Sequence, residues 1–166
     1  MMNLFGHEEE IQNILNSYKQ KNLHTSNILY GPKGIGKRTF INYLILNILK
    51  INFNENSLSH HLNLYKNNTH PNIKIIEKEI DKKSKKLKSD ISIEQIRKLN
   101  KFIHSSPSIK NLNKFIIIDC ADDLNTNSSN SFLKTLEEPN QNTFIFLLSH
   151  HLSSLLPTIR SRCLKI

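Results

Sequence analysis

Short runs of apolar residues alternate along this chain with longer segments in which apolar residues recur every three or four positions. The short runs occupy residues 28–30, 73–76, 115–118 and 144–148, and residues 164–166 begin another. The unbroken runs at residues 115–118 and 144–148 are typical of strands buried on both faces of a parallel sheet. We therefore predict an α/β fold in which a parallel five-stranded sheet is flanked by helices.

Helical spacing predicts the segments between these strands. The predicted helices are EEEIQNILNSYKQ, the stretch from residue 40 to about residue 50, EQIRKLNKFI, and a helix through Phe132 that ends near Glu137. Ser92 and Gln95 have the spacing of a capping box at the start of the third helix. Residues 51–69 are weakly patterned, and we expect the lysine-rich residues 77–90 to form a solvated connection.

The loop after the first strand carries the clearest chemical pattern. The sequence NILYGPKGIGKRT fits G-x-x-x-x-G-K from Gly31 to Lys37. Gly31, Gly34 and Gly36 let the backbone turn tightly and aim N–H groups at a phosphate, and the following helix N-terminus adds partial positive charge. Lys37 can reach the outer phosphates. This pattern, between a strand and a helix, predicts a phosphate-binding loop.

Two positions depart from what an ATP-hydrolysing loop of this kind needs. The residue after Lys37 should be Ser or Thr, whose hydroxyl holds Mg²⁺, but it is Arg38, and Thr39 comes one position late. The third strand ends in Asp119, which would support the magnesium shell, and Cys120 follows where a carboxylate usually polarises water. We predict a degenerate site that holds ATP or ADP, leaves Mg²⁺ binding open and hydrolyses poorly.

Composition adds a partner class and a compartment. The chain has 166 residues, which suits one domain, and a net charge of +9, which indicates a polyanion partner such as nucleic acid. The alternative is that the frequent use of lysine reflects no partner, since much of the charge lies in one loop. The run at residues 82–88 is then either a solvated face or a contact to the DNA backbone.

Cysteine and histidine usage argues against a metal centre. The two cysteines, Cys120 and Cys163, are far apart and form neither a disulfide framework nor a four-thiolate zinc site, so we expect a reducing cytoplasm. We interpret His60, His61 and His70 as solvated loop residues rather than metal ligands. No apolar stretch is long enough to span a bilayer, so we expect no membrane association.

Together, these segments resemble the AAA+ module of the clamp-loader subunits of bacterial DNA polymerase III. The segments that carry the resemblance are FGHEEEIQNILNSYKQKNLH, NILYGPKGIGKRT, HPNI, ISIEQIRKL, KFIIIDCADDLNTNSSNSFLKTLEEPNQNTFIFLLS and LLPTIRSRC. They cover nearly the whole chain, least clearly residues 51–69 and 77–90. The resemblance implies one AAA+ nucleotide-binding domain over residues 1–166.

The resemblance also implies partners and a role in trans. Clamp loaders of this family are rings that open a sliding clamp and place it on primed DNA, so the implied partners are the gamma/tau and delta subunits, the clamp and DNA. Nucleotide lies between neighbours, and the S-R-C motif of one subunit reaches the ATP of the next. By position, Arg162 would be that arginine finger, whose planar, always-charged fork suits phosphate oxygens. The alternative is that Arg162 is a surface arginine that forms ordinary salt bridges.

The resemblance separates two subunit types. An ATPase of the gamma/tau type is expected to carry Lys-Thr or Lys-Ser at the end of the loop and Asp-Glu at the end of the strand that here ends in Asp119. This chain has Lys37-Arg38 and Asp119-Cys120 at these positions. We therefore favour a non-hydrolysing stator, with an autonomous gamma/tau-type ATPase as the alternative. The four-cysteine zinc insertion found in many members is absent from this sequence, so no zinc is expected.

Four further expectations concern the residues after the third and fourth strands and the segment after the S-R-C motif. The polar sensor after the fourth strand would fall near Ser149 or His150. Asp122 and Asp123 are expected to serve solvation or helix entry, and a catalytic role for Cys120 would need a histidine partner in space. The usual lid and collar domains would follow the S-R-C motif, so we expect the chain to be a fragment, a shortened protein or a subunit that assembles by other contacts.

Overall fold

The fold is centred on one parallel sheet. The computed structural model describes residues 6–140 and 142–166, so Phe5 and Gln141 of the motifs quoted above lie outside it. The strands are β1 Ser26–Tyr30, β2 Ile73–Ile76, β3 Lys114–Ile118, β4 Thr143–Ser149 and β5 Leu164–Lys165. All pairings are parallel and the strand order is β2-β3-β4-β1-β5. The predicted α/β sheet of five parallel strands is confirmed.

Helices cover both faces of this sheet. They are α1 Glu8–Lys19, α2 Lys37–Asn52, α3 Glu55–Lys66, α4 Ile93–His104, α5 Thr126–Glu137 and the short α6 Pro157–Arg160. Helices α1 to α3 pack with one side of the strands, and α4 to α6 pack with the other. Because neighbouring residues of a strand point to opposite faces, Ile117 joins the first core and Ile116 the second.

Residues 51–69, which are weakly patterned, contain a helix that the hydrophobic pattern does not predict. Helix α3 begins after Asn54, whose side chain accepts a hydrogen bond from the backbone N–H of Ser57. Leu58, Leu62 and Tyr65 pack against the first core. The apolar face is so short and so diluted by Asn and His that its helical spacing is hard to see in the sequence.

The connection over residues 77–90 is solvated, as predicted, but part of its backbone is paired in a way that the charge run does not indicate. Residues 79–88 form a small hairpin in which Ile80 and Leu87 are antiparallel partners. The turn is held by the side chain of Asp81, which accepts hydrogen bonds from the backbone N–H groups of Lys83 and Ser84. The lysines do lie at the surface, but the backbone that carries them is hydrogen-bonded.

Helix α4 begins as the sequence predicts. Ser92 accepts a hydrogen bond from the backbone N–H of Gln95, and the Gln95 side chain accepts one from the backbone N–H of Ser92. Ile96, Leu99 and Ile103 are buried on the same helical face. This capping box and apolar face place α4 beside β2 and β3, at the edge of the sheet where the candidate site lies.

Candidate functional site

The predicted phosphate-binding loop joins β1 to α2. Gly34 and Gly36 have φ angles of 90° and 98°, in the region that side chains other than glycine rarely adopt. Gly36 is the N-cap of α2, and no side chain caps the first turn of that helix. The backbone N–H groups of this turn therefore remain available to an external anion.

Lys37 lies at the first position of α2 and folds back onto its own loop. Its Nζ donates hydrogen bonds to the carbonyl oxygens of Gly31, at 2.6 Å, and Pro32, at 3.0 Å. These carbonyl groups hold the ammonium group above the loop. A phosphate in the loop would offer Lys37 a charged acceptor in place of two neutral ones.

Arg38 and Asp119 form an ion pair across the mouth of the site. Arg38 Nη1 donates to Asp119 Oδ2 at 2.9 Å, and the two side chains are 34% and 30% exposed. Asp119 follows β3 directly, as predicted. Thr39 lies one helical position further on, and among the described residues its hydroxyl forms no hydrogen bond with Lys37, Arg38 or Asp119.

Cys120 has the histidine neighbour that the sequence alone could not identify. Its Sγ lies 3.1 Å from Nε2 of His150, which directly follows β4. Burial raises the pKa of the Cys120 thiol, and the negative charges of Asp123, Asp119 and Asp122 raise it further. The thiol therefore stays protonated at neutral pH and is a poor nucleophile despite the imidazole beside it.

Asp122 has a different role from the solvation or helix entry that we expected. Its carboxylate accepts hydrogen bonds from the Ser149 hydroxyl, the Ser154 hydroxyl and the backbone N–H groups of His150 and His151. Burial opposes ionisation of this carboxyl, but the hydrogen bonds outweigh it, and the pKa of Asp122 is lowered. Asp122 thus ties the segment after β3 to the segment after β4.

The two candidates for a polar sensor lie at this junction. Ser149 is fully buried and hydrogen-bonded to Asp122, whereas the side chain of His150 contacts Cys120. Both positions follow from strand order, because β3 and β4 are neighbours and their carboxyl ends meet at one edge. The Cys120–His150 pair follows once β3 and β4 are known to be neighbours, whereas no local motif marks Asp122.

Arg162 lies at the opposite edge of the sheet from the loop. It precedes β5, whose first residue Leu164 pairs with Asn27 near the start of β1, while the loop follows the end of β1. Asn27 and the start of the loop at Gly31 are four residues apart along β1, which corresponds to about 13 Å. Arg162 Nη2 donates to Glu137 at 2.7 Å, Nη1 donates to the carbonyl of Thr158, and the side chain is 33% exposed.

Two of the three histidines, His61 and His70, are less solvated than we expected, whereas His60 is exposed. His60 and His61 lie on α3 and not in the loop that we expected. His61 Nδ1 lies 3.3 Å from His70 Nε2, His61 stacks on Phe53, and His70 is only 3% exposed. The interpretation of His70 as a solvated loop residue was therefore wrong. In the part of the chain that the structure describes, no three His, Cys, Asp or Glu side chains converge as a metal site.

A cleft of about 190 Å³ opens beside the loop, between α1, the end of β1 and the end of the chain. Its walls include His7, Tyr30, Ile35, Phe40 and Ile166. The cleft is mostly apolar and lies next to Gly36 and Lys37, so a flat ring attached to a bound phosphate would find an apolar surface within reach.

Comparison with known proteins agrees with this architecture. A family described as "DNA polymerase III, delta subunit" matches residues 6–166. The chain belongs to this family. The protein named DNA polymerase III subunit delta' of Pseudomonas aeruginosa is 33% identical over 141 residues, which cover 83% of this chain and 41% of that protein. The subunit delta' of Buchnera aphidicola from Acyrthosiphon pisum is 31% identical over 156 residues, covering 92% of this chain and 45% of the relative.

A solved structure supports the fold. The gamma subunit-related DNA polymerase III protein of Thermotoga maritima superposes with a TM-score of 0.66 at 21% identity, covering 92% of this chain and 44% of that one. The AAA+ fold predicted from the sequence is thereby confirmed. This family member spans less than half the length of the two curated relatives. Within residues 6–140 and 142–166, no helix is long and apolar enough to cross a membrane.

Proposed function

We propose that this chain is a delta-prime-type subunit of a DNA polymerase III clamp loader and acts in DNA replication as a non-hydrolysing stator. Its partners would be the gamma/tau and delta subunits, with the sliding clamp and primed DNA reached through the complex. The family match and the delta' names of the relatives support this proposal. The proposed role is to hold a fixed shape and to donate Arg162 to the nucleotide of a neighbour.

The position of Arg162 is the observation that carries the proposal. Arg162 lies at the edge of the sheet opposite the phosphate loop of its own chain, so it cannot serve that loop. Its side chain is partly exposed, and its contact with Glu137 is a surface ion pair. Such pairs contribute about 1 kcal/mol or less. A nucleotide phosphate presented by another subunit would therefore compete well for the guanidinium.

The local cradle supports nucleotide binding without turnover. Gly31, Gly34, Gly36, Lys37, Arg38, Thr39 and Asp119 make up the proposed site for ATP or ADP. The Asp119 carboxylate is paired with a guanidinium and Cys120 is a protonated thiol, so the groups that would hold a metal and polarise water are replaced. Hydrolysis would then take place at the neighbouring subunit and depend on Arg162.

Replacement of Arg162 tests the proposed role. In a clamp loader reconstituted with its cognate subunits, Arg162→Ala should lower DNA-stimulated ATP turnover about tenfold or more, because a finger in trans stabilises the charge of the transferring phosphate. Arg162→Lys keeps the charge but loses the planar fork, so we expect turnover to stay low. Turnover is measured as phosphate release at saturating ATP.

Glu137→Gln is the matched control for this experiment. It removes the same ion pair while leaving the guanidinium in place. If Arg162 serves only as the partner of Glu137, the two substitutions should have equal effects. If Arg162 acts on a neighbour, Glu137→Gln should leave turnover nearly unchanged. Wild-type turnover in the Arg162→Ala complex would remove the finger assignment.

The alternative function is an autonomous ATPase of the gamma/tau type. It would use Lys37 and Asp119 as working residues within this chain. The ion pair between Arg38 and Asp119 and the raised pKa of Cys120 both count against it. We retain this alternative because the loop itself has the backbone geometry of a phosphate cradle.

A further inference from the structure

Arg38 stands at the position whose hydroxyl would hold magnesium in a phosphate-loop site, and its guanidinium bonds the acidic residue that would complete the metal shell. Magnesium in such a site needs a hydroxyl from the residue after the loop lysine and an acidic residue at the end of the neighbouring strand. Here the first position is Arg38, which offers no oxygen, and the second, Asp119, already accepts a hydrogen bond from Arg38 at 2.9 Å. The residues present do not fit Mg²⁺.

The same arrangement supplies what the metal would otherwise provide, namely positive charge beside the outer phosphates. Arg38 is the second residue of α2, next to Lys37 and to the uncapped N–H groups of that helix. A guanidinium has five N–H donors, and among the described residues the Arg38 guanidinium donates a hydrogen bond only to Asp119. The remaining donors form a planar fork that suits two oxygens of one phosphate.

We propose that this chain binds a nucleoside diphosphate or triphosphate without magnesium, with Arg38 in place of the metal. The inference deepens the nucleotide cradle of the proposed function and rests on it. Asp119 acts here as a positioning residue, because its carboxylate fixes the direction of the Arg38 guanidinium. A site of this kind neutralises the phosphates but has no Lewis acid to activate water, which suits permanent occupancy rather than turnover.

Equilibrium binding of a fluorescent ADP analogue to the purified chain tests the proposal. The titration is run once with excess EDTA and once with several millimolar Mg²⁺, at equal ionic strength. We expect the two dissociation constants to agree within about a factor of two, since a bound metal contributes nothing to recognition. An ATP analogue should behave in the same way.

The variant Arg38→Thr restores the hydroxyl that holds the metal in related loops and frees Asp119. It should bind the analogue about tenfold or more weakly in EDTA, and Mg²⁺ should recover most of the loss. Arg97→Thr is the matched control, because Arg97 is an exposed arginine on α4, away from the loop. Its binding should equal that of the wild type in both buffers.

Folding of Arg38→Thr is checked by circular dichroism and thermal unfolding. The ion pair that it loses is about one-third exposed, so we expect a stability change of about 1 kcal/mol or less. Arg38→Lys provides a second variant that keeps the charge. It should retain EDTA-resistant binding in part, because an ammonium replaces the fork with a single point charge.

Two results would overturn this inference. One is wild-type binding that requires Mg²⁺, which would show that the metal displaces the guanidinium from Asp119. The other is no binding of either analogue in either buffer, which would mean that the Arg38 side chain blocks the nucleotide site instead of replacing the metal. Both results leave the stator role intact, because that role is tested by Arg162→Ala in the assembled clamp loader. Failure of the Arg162 experiment, in turn, would not alter the binding result.

Discussion

At the scale of single residues, His70 shows how burial sets a protonation state. The ring is 3% exposed, and its Nδ1 accepts a hydrogen bond from the backbone N–H of Asn72. Nε2 therefore carries the proton of the neutral ring and donates it to Nδ1 of His61 at 3.3 Å. Burial, with smaller contributions from the neighbouring His61 and His60, lowers the pKa of His70 from 6.5 to about 4.

This environment predicts a loss of stability in mild acid. The unfolded chain takes up a proton on His70 near pH 6.5, whereas the folded chain resists it until about pH 4. The free energy of unfolding should therefore be highest above pH 6.5 and fall as the pH is lowered through this window. Between pH 7.5 and pH 5 the expected loss from His70 is about 2 kcal/mol, measured by urea unfolding.

Two variants separate His70 from the other titrating groups. His70→Asn offers a carbonyl oxygen in place of Nδ1 and removes the titration, so its stability should change less between the two pH values. His60→Gln is the control, because His60 lies on α3 beside His61 and is exposed. An unchanged pH dependence in His70→Asn would contradict the assignment.

Some residues of the candidate site could be predicted and others could not. Lys37 and Asp119 follow from local rules, because a loop motif and a strand end define their positions. The Arg38–Asp119 pair joins residues 81 positions apart. The four hydrogen bonds of Asp122 depend in the same way on which strands are neighbours. A sequence pattern marks such residues as polar but does not name their partners.

At the scale of elements, the hairpin over residues 79–88 concentrates charge at its tip. Lys82, Lys83, Lys85 and Lys86 are exposed there, and none of them takes part in an ion pair with another described residue. Ile80 and Leu87 lie side by side below the tip and are also exposed. The hairpin therefore presents a basic surface of the kind that contacts a phosphate backbone.

We expect this hairpin to contribute to DNA affinity. Replacing the four tip lysines with Gln should weaken binding of a primed duplex by about tenfold at low salt. The slope of log affinity against log salt should fall by about three, because each phosphate contact releases roughly one counterion. Fluorescence anisotropy at several salt concentrations measures both quantities.

A second quadruple variant controls for net charge. Lys19, Lys21, Lys50 and Lys66 are exposed on the side of the sheet that α1 to α3 cover, and their replacement removes the same total charge. If the hairpin provides a defined contact, only the tip variant should lose affinity and slope. Equal losses of affinity and slope in both variants would mean that the overall charge of the chain, and not the hairpin, determines DNA binding.

The elements differ in how well the sequence predicts them. Strands β3 and β4 are buried along their whole length, so their apolar runs are unbroken and easily recognised. Helix α3 buries mainly one edge, through Tyr65 and two partly buried leucines, and its polar residues hide the spacing. The hairpin was missed because its only apolar pair is exposed and its turn depends on the side-chain hydrogen bonds of Asp81.

At the scale of the whole molecule, the parallel sheet separates the candidate phosphate loop from Arg162. Every strand runs in the same direction, so the phosphate loop, Asp119 and His150 lie at the carboxyl edge, and Arg162 lies at the amino edge. The alternation of apolar runs and helices predicts this sheet, because each βα unit must return to the same edge. In the proposed stator role, a cradle at one edge and the partly exposed Arg162 guanidinium at the other would suit head-to-tail contacts between different subunits.

This separation leads to a prediction for the isolated chain. With Arg162 out of reach of its own loop, Arg38 on Asp119 and a protonated Cys120, the purified chain should release phosphate from ATP no faster than Lys37→Ala. The comparison is made across a hundredfold range of protein concentration, because copies that stacked head to tail could supply Arg162 to one another. Turnover that depends on Lys37 and is constant per molecule would mean that one chain hydrolyses ATP unaided, as the gamma/tau-type alternative requires. Turnover that depends on Lys37 and rises with concentration would instead mean that the cradle can hydrolyse ATP once a neighbour supplies its arginine. That result would contradict the proposal that this chain does not hydrolyse ATP. It would leave the arginine-finger role of Arg162 standing.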